Sequence, residues 1–181
     1  MITIKQFFGF VKKAIRIVIV RFKPLTVHVE SIFYDDVWDI VKDKIKNKEI
    51  HTWYLMTPDN FPLTKGYFSL SESKKYIEAK MKKRYLKMKK LGERLQLHVH
   101  LHPLMKIGYE EQETLIKNSI DWLKKEIGIT PTEVVFGWWR YNENSEKIAK
   151  KYGLKIIKFD KYNSIHDYDW VIRCKGESSL Q

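Results

Sequence analysis

The spacing of hydrophobic residues changes repeatedly between two residues, typical of strands, and about 3.6 residues, typical of helices. Residues 25–30 alternate first, with His28 and Glu30 on the polar face. The same reasoning predicts strands at 25–30, 51–57, 95–101, 133–136, 154–159 and 169–173, and helices at 34–46, 69–92, 110–127 and 144–152. Ser69 and Glu72 form a capping box that predicts the start of the second helix. Because strands alternate with helices, the chain is expected to be an α/β protein, either an open doubly wound sheet or an incomplete (β/α) barrel.

The first 23 residues follow a different pattern. Apolar side chains share one helical face, and basic side chains share the opposite one: Phe7, Phe10, Val11 and Ile15 against Lys5, Lys12, Lys13 and Arg16. The apolar run is too short and interrupted to span a bilayer, and no signal-peptide cleavage site follows it. We therefore expect an amphipathic basic helix at 1–23 and a single domain at 24–181. The helix is expected to dock on that domain, with an anionic membrane surface as the alternative.

Composition narrows the function classes. The chain has 181 residues, with 34 Lys and Arg against 22 Asp and Glu, which gives a formal net charge of +12. Much of this charge falls in the predicted helix 69–92 and in residues 1–23, away from the histidines, so nucleic acid is not the expected partner. The single cysteine, Cys174, excludes an internal disulfide and fits a reducing compartment. A cytoplasmic protein, peripheral to the membrane at most, is therefore expected.

Three of the six histidines lie on the polar face of one predicted strand. His98, His100 and His102 alternate with apolar residues, near the end where α/β folds place their sites. Imidazole nitrogens suit zinc, and also cobalt, nickel or iron. His28 and Glu30 add a base and a carboxylate from the first strand. Two histidines and one carboxylate are a common set of ligands in catalytic metal sites. The alternative interpretation is that the histidines lie on a solvated face of the strand and bind no metal.

The segment His98-Val99-His100-Leu101-His102-Pro103 resembles the H-x-x-x-H-P motif of the polysaccharide deacetylases, the NodB-homology carbohydrate esterases. Flanking residues follow the order of that family, namely Glu111-Gln112, Gly128, Pro131, Phe136, Asn144 and Gly153. The similarity covers residues 25–160. It implies an incomplete or distorted (β/α) barrel of about five to seven mostly parallel strands. The implied activity is metal-dependent removal of acetyl groups from N-acetylated sugars.

The resemblance also implies residue roles. Glu30, His98 and His102 would hold a divalent metal, zinc foremost, and His28 would be the catalytic base where the family has an aspartate. Asp36 is the competing carboxylate ligand. His100 corresponds to a position that does not bind the metal and is expected to support the ligands or the fold.

Two departures and an aromatic segment complete the comparison. Gly137 stands where the family has an arginine, and Arg140 is expected to replace it, with a surface salt bridge as the alternative. His166 is the only late candidate for a general acid, and a solvated turn is the favoured interpretation, because a His-Asp pair in a loop is more often a solvated turn. The aromatic residues expected to stack on sugar rings, or else to pack in the core and rim, are Trp138, Trp139 and Tyr141.

Three functions are consistent with these features. The first is a metal-dependent carbohydrate deacetylase that acts on an N-acetylated carbohydrate or glycan. The second is a glycan-binding derivative of the same fold that has lost catalysis. The third is a basic module that binds a membrane surface or nucleic acid, which only the charge supports.

Overall fold

The computed structural model describes residues 25–60, 73–101, 107–158 and 164–166. Its strands are β1 (Leu25–Val29), β2 (Ile50–Met56), β3 (Leu95–Val99), β4 (Glu133–Phe136), β5 (Lys155–Ile156) and β6 (Ser164–His166). Its helices are α1 (Asp35–Lys46), α2 (Lys74–Lys90), α3 (Tyr109–Trp122) and α4 (Glu143–Lys151). The predicted helix at 1–23, the predicted strand at 169–173, His102 and Cys174 lie outside the described residues.

The strands form one sheet in the order β5-β4-β3-β2-β1-β6, and every neighbouring pair is parallel. The predicted α/β class with mostly parallel strands is therefore confirmed. In the described part of the chain β5 and β6 are the edge strands. The sheet order brings the ends of β1, β2, β3 and β4 side by side.

Both faces of the central strands are buried, as is usual for parallel sheets. All five residues of β3 are buried, Gln96 and His98 included. Leu97 and Val99 belong to the hydrophobic core on the other face. A buried polar face needs hydrogen-bond or metal partners, because burying an unpaired polar group costs free energy.

A buried arginine fixes the loop that follows β1. The guanidinium of Arg84, on α2, donates to the main-chain oxygen of Ile32 and, at 2.7 Å, to that of Tyr34. It also pairs with Asp35 at the start of α1. This clamp holds the segment directly after Glu30 against α2.

The second helix starts later than predicted. Ser73 is its N-cap, with a side chain that accepts a hydrogen bond from the N–H of Tyr76 at 3.3 Å, and α2 begins at Lys74. The start predicted from Ser69 and Glu72, which lie outside the described residues, is therefore wrong. Ser73 offers the same capping chemistry, and the local rule cannot choose between two serines.

Two short strands also differ from prediction. β5 covers only Lys155–Ile156. β6, which the sequence pattern did not predict, pairs with β1 and places the backbone of His166 beside that of His28. The interpretation of this segment as a turn is therefore wrong, because pairing with β1, a tertiary contact, makes it a strand.

The lysine-rich helix α2 is partly neutralised by ion pairs. Lys80 pairs with Asp35 at 3.1 Å, and Lys82 pairs with Glu126 at 2.6 Å. Part of the positive charge is thus a set of surface ion pairs, each of which contributes little to stability. None of the helices in the described ranges has the length and hydropathy needed to cross a bilayer.

Candidate metal centre

Four neighbouring strands end at one edge of the sheet. Glu30 directly follows β1, and Asn60 lies in the short 3₁₀ turn after β2. His98 and His100 mark the end of β3, and Gly137 directly follows β4. This carboxyl edge of a parallel sheet is where α/β folds commonly bind their ligands.

Three side chains converge at this edge. Oε1 of Glu30 lies 3.0 Å from Nε2 of His98 and 3.0 Å from Nε2 of His100. The two Nε2 atoms are 2.9 Å apart. All three residues are buried, and within the described ranges they form the group whose ligand atoms could hold a metal ion. The structure thus brings together two predicted ligands, Glu30 and His98, and adds His100.

The tautomer of His98 follows from its outer hydrogen bond. Nδ1 of His98 lies 3.0 Å from the main-chain oxygen of Val135 in β4. A carbonyl oxygen only accepts, so Nδ1 carries the proton. In the neutral ring Nε2 then has a lone pair, and it faces Glu30 and His100. An outer bond of this kind orients histidines that bind metals.

The donor set fits a divalent metal. A carboxylate oxygen and a neutral Nε2 are both acceptors, so a proton or a cation is needed where they approach within 3.0 Å. Zinc binds histidine nitrogen and carboxylate oxygen at about 2.0–2.2 Å, and catalytic sites combine three such ligands with an open position. Glu30, His98 and His100 provide this set.

The backbone of His100 is fixed by a buried amide. Oδ1 of Asn60 accepts the main-chain N–H of His100 at 3.1 Å. Nδ2 of Asn60 donates to the hydroxyls of Thr57, at 3.1 Å, and Ser119, at 2.7 Å. The end of β3 is therefore tied to the turn after β2 and to α3.

Two tryptophans cover the histidines. Trp138 meets the ring of His100 edge to face at a centroid distance of 5.0 Å, and the Trp139 ring lies 4.5 Å from that of His28. Both residues have left-handed φ angles, 49° and 60°. Such conformations cost about 1–3 kcal/mol each and concentrate at functional sites.

His28 lies beside the three converging side chains. It is buried, and its ring centroid is 5.1 Å from that of His98 and 5.8 Å from that of Tyr54. The Tyr54 hydroxyl donates to Glu133 at 2.9 Å. Burial, and then this bond to a carboxylate, raise the pKa of Tyr54 above its ordinary value, so it stays neutral. The assignment of His28 as catalytic base stays a prediction.

Other predicted residues lie elsewhere. Asp36 is in the first turn of α1, outside the converging group, where its carboxylate accepts the N–H of Val37 at 2.9 Å. The side chain of Arg140 is exposed. Tyr141 packs on the core residue Phe136 at a centroid distance of 5.7 Å, which favours its packing interpretation.

Sequence reasoning missed two contributors to the site. Asn60 is forty residues from His100, the residue whose backbone it fixes, and no local pattern links them. The sequence marks Gly137 only as the place of a missing arginine, although it lies against the ring of His100. One feature of the sequence could have indicated this contact. A glycine directly follows the predicted strand at 133–136, which comes next along the chain after the strand that carries the histidines.

Comparison with known proteins identifies the fold. No protein-family model matches the chain, and no curated protein matches it by sequence. A family 4 carbohydrate esterase from Streptomyces lividans is similar in structure, with a TM-score of 0.56 and 14% identity over 76% of this chain and 62% of that one. The peptidoglycan deacetylase PdaC from Bacillus subtilis gives 0.52 and 16%, over 76% and 57%.

A CE4 family pseudoenzyme from Bacillus anthracis has a TM-score of 0.54 and 12% identity, over 75% of this chain and 42% of that one. The chain thus spans at most about three-fifths of the length of these proteins. At such low identity the likeness shows a shared α/β fold of the carbohydrate esterase type. The protein is therefore an α/β protein of this fold. It carries a buried group of one glutamate and two histidines at the carboxyl edge of its sheet.

Proposed function

We propose that this protein is a metal-dependent hydrolase that removes acetyl groups from N-acetylated sugars. The observation that carries the proposal is the convergence of Glu30, His98 and His100 within 3.0 Å at the carboxyl edge of the sheet. The similarity to carbohydrate esterases and a peptidoglycan deacetylase supports an acetylated glycan as substrate. The motif around His98 supports the same class.

The side chains have distinct tasks in this proposal. A divalent ion, when bound, polarises an amide carbonyl and lowers the pKa of its water. Glu30 and His98 hold that ion, and the Val135 carbonyl keeps His98 in the tautomer required. We assign to His28 the task of accepting a proton from the attacking water, because an imidazole exchanges protons near neutral pH.

The tryptophans supply the surface for the sugar. The side chain of Trp138 is 36% exposed although it touches the buried His100. An exposed ring beside a buried polar site can stack on a sugar ring and exclude water. Trp139 covers His28 and shields it in the same way. For Arg140, the exposed residue directly after this turn, the proposed role stays the one predicted from the sequence, in place of the family's arginine.

Acetate release from N-acetylglucosamine oligomers tests the proposal. Zinc-loaded wild-type protein should release acetate, and Glu30→Gln should not, because the variant loses the carboxylate that holds the ion. Glu146→Gln, a change at an exposed position on α4, is the matched control and should retain activity. Acetate release by Glu30→Gln at the wild-type rate would refute the proposal.

A glycan-binding protein without catalysis is the second candidate. Gly137 replaces the arginine of the similar family and His28 replaces its acidic base, and one structural neighbour is itself described as a pseudoenzyme. The metal-loaded protein would then bind the oligomers and release no acetate. For location we keep the cytoplasm, with the exposed lysines of α2 as the face toward an anionic membrane or glycan.

A further inference from the structure

We propose that His100 is a metal ligand of this site and that Gly137 is the positioning residue that makes room for it. The inference rests on the metal site of the proposed function and specifies its third ligand. The family resemblance assigned that role to His102 and gave His100 a supporting one. The contacts of His100 favour the new assignment.

The Nε2 atom of His100 is already at the site. It lies 3.0 Å from Oε1 of Glu30 and 2.9 Å from Nε2 of His98, so the three atoms form a nearly equilateral triangle. The residue is 1% exposed. His98 in β3 and His100 directly after it are two positions apart, so both side chains lie on the same face of the extended chain. The pair therefore presents two nitrogens to one carboxylate.

The ring of His100 is held by packing. Asn60 fixes its main-chain N–H at 3.1 Å, and Trp138 covers it edge to face. Within the described residues Nδ1 of His100 is buried and has no hydrogen-bond partner. His98 is oriented by an outer hydrogen bond, whereas His100 depends on the shape of its surroundings.

Gly137 is the part of those surroundings that cannot carry a side chain. A Cβ atom at this position would lie 2.5 Å from Cγ and 2.6 Å from Cε1 of the His100 ring, and closer still to Nδ1. The φ of Gly137 is not in the left-handed region. Its backbone would accept any residue, so the need for glycine comes from the imidazole alone.

This contact also accounts for the missing arginine. A side chain at 137 and an imidazole at 100 would occupy the same space, so the two are mutually exclusive in this backbone. Where the similar family has an arginine, this chain has room for a further nitrogen ligand. The replacement of the arginine by Gly137 is then a change in the metal site itself, because it leaves room for His100 as a ligand.

Cobalt titration of the full chain, followed by visible absorption and metal analysis, tests the proposal. Wild type should bind one Co²⁺. Mutating residues that merely support metal ligands weakens affinity about 10- to 100-fold, so Gly137→Ala should fall in that range, and His100→Ala should lose more. Both should change the cobalt spectrum, which reports coordination. Gly108→Ala is the matched control, because a Cβ there meets nothing within 4 Å.

The double variant shows whether the two residues act through one contact. Gly137→Ala should lower the melting temperature of wild type but not that of His100→Ala, since the colliding ring is then absent. The inference is overturned if His100→Ala keeps the wild-type cobalt affinity and spectrum, and the proposed function then stands with another ligand. A wild-type protein that binds no cobalt overturns both.

Discussion

Replacing Asn60 by alanine removes the side chain that fixes the end of β3. Asn60 is fully buried and makes three hydrogen bonds, one from the main-chain N–H of His100 and two to the hydroxyls of Thr57 and Ser119. The two hydroxyls keep other bonds, Thr57 to Ser119 at 2.9 Å and Ser119 to the Leu115 oxygen at 2.8 Å. The N–H of His100 is the group left without its partner.

The size of the effect follows from this count. Two bonds to hydroxyls at a net contribution of about 1 kcal/mol each, together with about 1–3 kcal/mol for leaving the buried N–H of His100 without its partner, give an expected loss of about 3–5 kcal/mol. Domains of this kind are stable by about 5–15 kcal/mol, so the variant should still fold. Its site should be looser, because His100 loses its backbone anchor.

Urea denaturation followed by circular dichroism measures the loss. Asn118→Ala, at an exposed position of α3, is the matched control and should stay within about 0.5 kcal/mol of wild type. Ser119→Ala breaks one Asn60 bond and spares the bond to His100, so it should lower stability and leave cobalt affinity unchanged. A loss below about 1 kcal/mol for Asn60→Ala would refute the reasoning.

Three further predictions concern the metal, the clamp and acid stability. A chelator should lower the melting temperature of the zinc-loaded wild type, because an ion that binds only the native state, at a free concentration 100 times its Kd, stabilises that state by about 2.7 kcal/mol. The melting temperature of His98→Ala should not change with the chelator. A decrease equal to that of wild type would contradict the assignment of His98 as a metal ligand. Arg84→Ala should cost about 2–4 kcal/mol in urea denaturation, since buried carbonyls lose a charged donor, and a neutral result would exclude the clamp. Lys80 and then Arg84 lower the pKa of Asp35 from 3.8, so its stabilising effect is complete above that value and is lost as pH falls through the folded pKa. Asp35→Asn should therefore make stability less dependent on pH below about 4, and an unchanged acid limb would contradict this.

The fold was largely predictable because period and length are local properties. The alternation at 25–30 and at 95–101 predicted β1 and β3. A π-helical turn at Leu123–Ile127 continues α3, and Gly128, with its left-handed φ of 70°, ends this helical segment where expected. β6 was missed because its three residues carry little pattern of their own. Its strand character comes from pairing with β1, which no local rule describes.

The site was predictable only in part. Alternation places His98, His100 and His102 on one face, but it does not say which of them reach Glu30, which is 68 residues from His98 and 70 from His100. That choice depends on Gly137, which directly follows β4, and on Asn60, which lies in the turn after β2. The family motif favoured the spacing of His98 and His102, whereas the contacts in the described residues favour His98 and His100.

The most direct test of the account is a crystal structure of the zinc-loaded full chain, with anomalous diffraction measured at the zinc absorption edge. The account predicts one strong anomalous peak within about 2.0–2.2 Å of a Glu30 carboxylate oxygen and of the Nε2 atoms of His98 and His100. A zinc-loaded crystal with no peak beside Glu30 and His98 would contradict it.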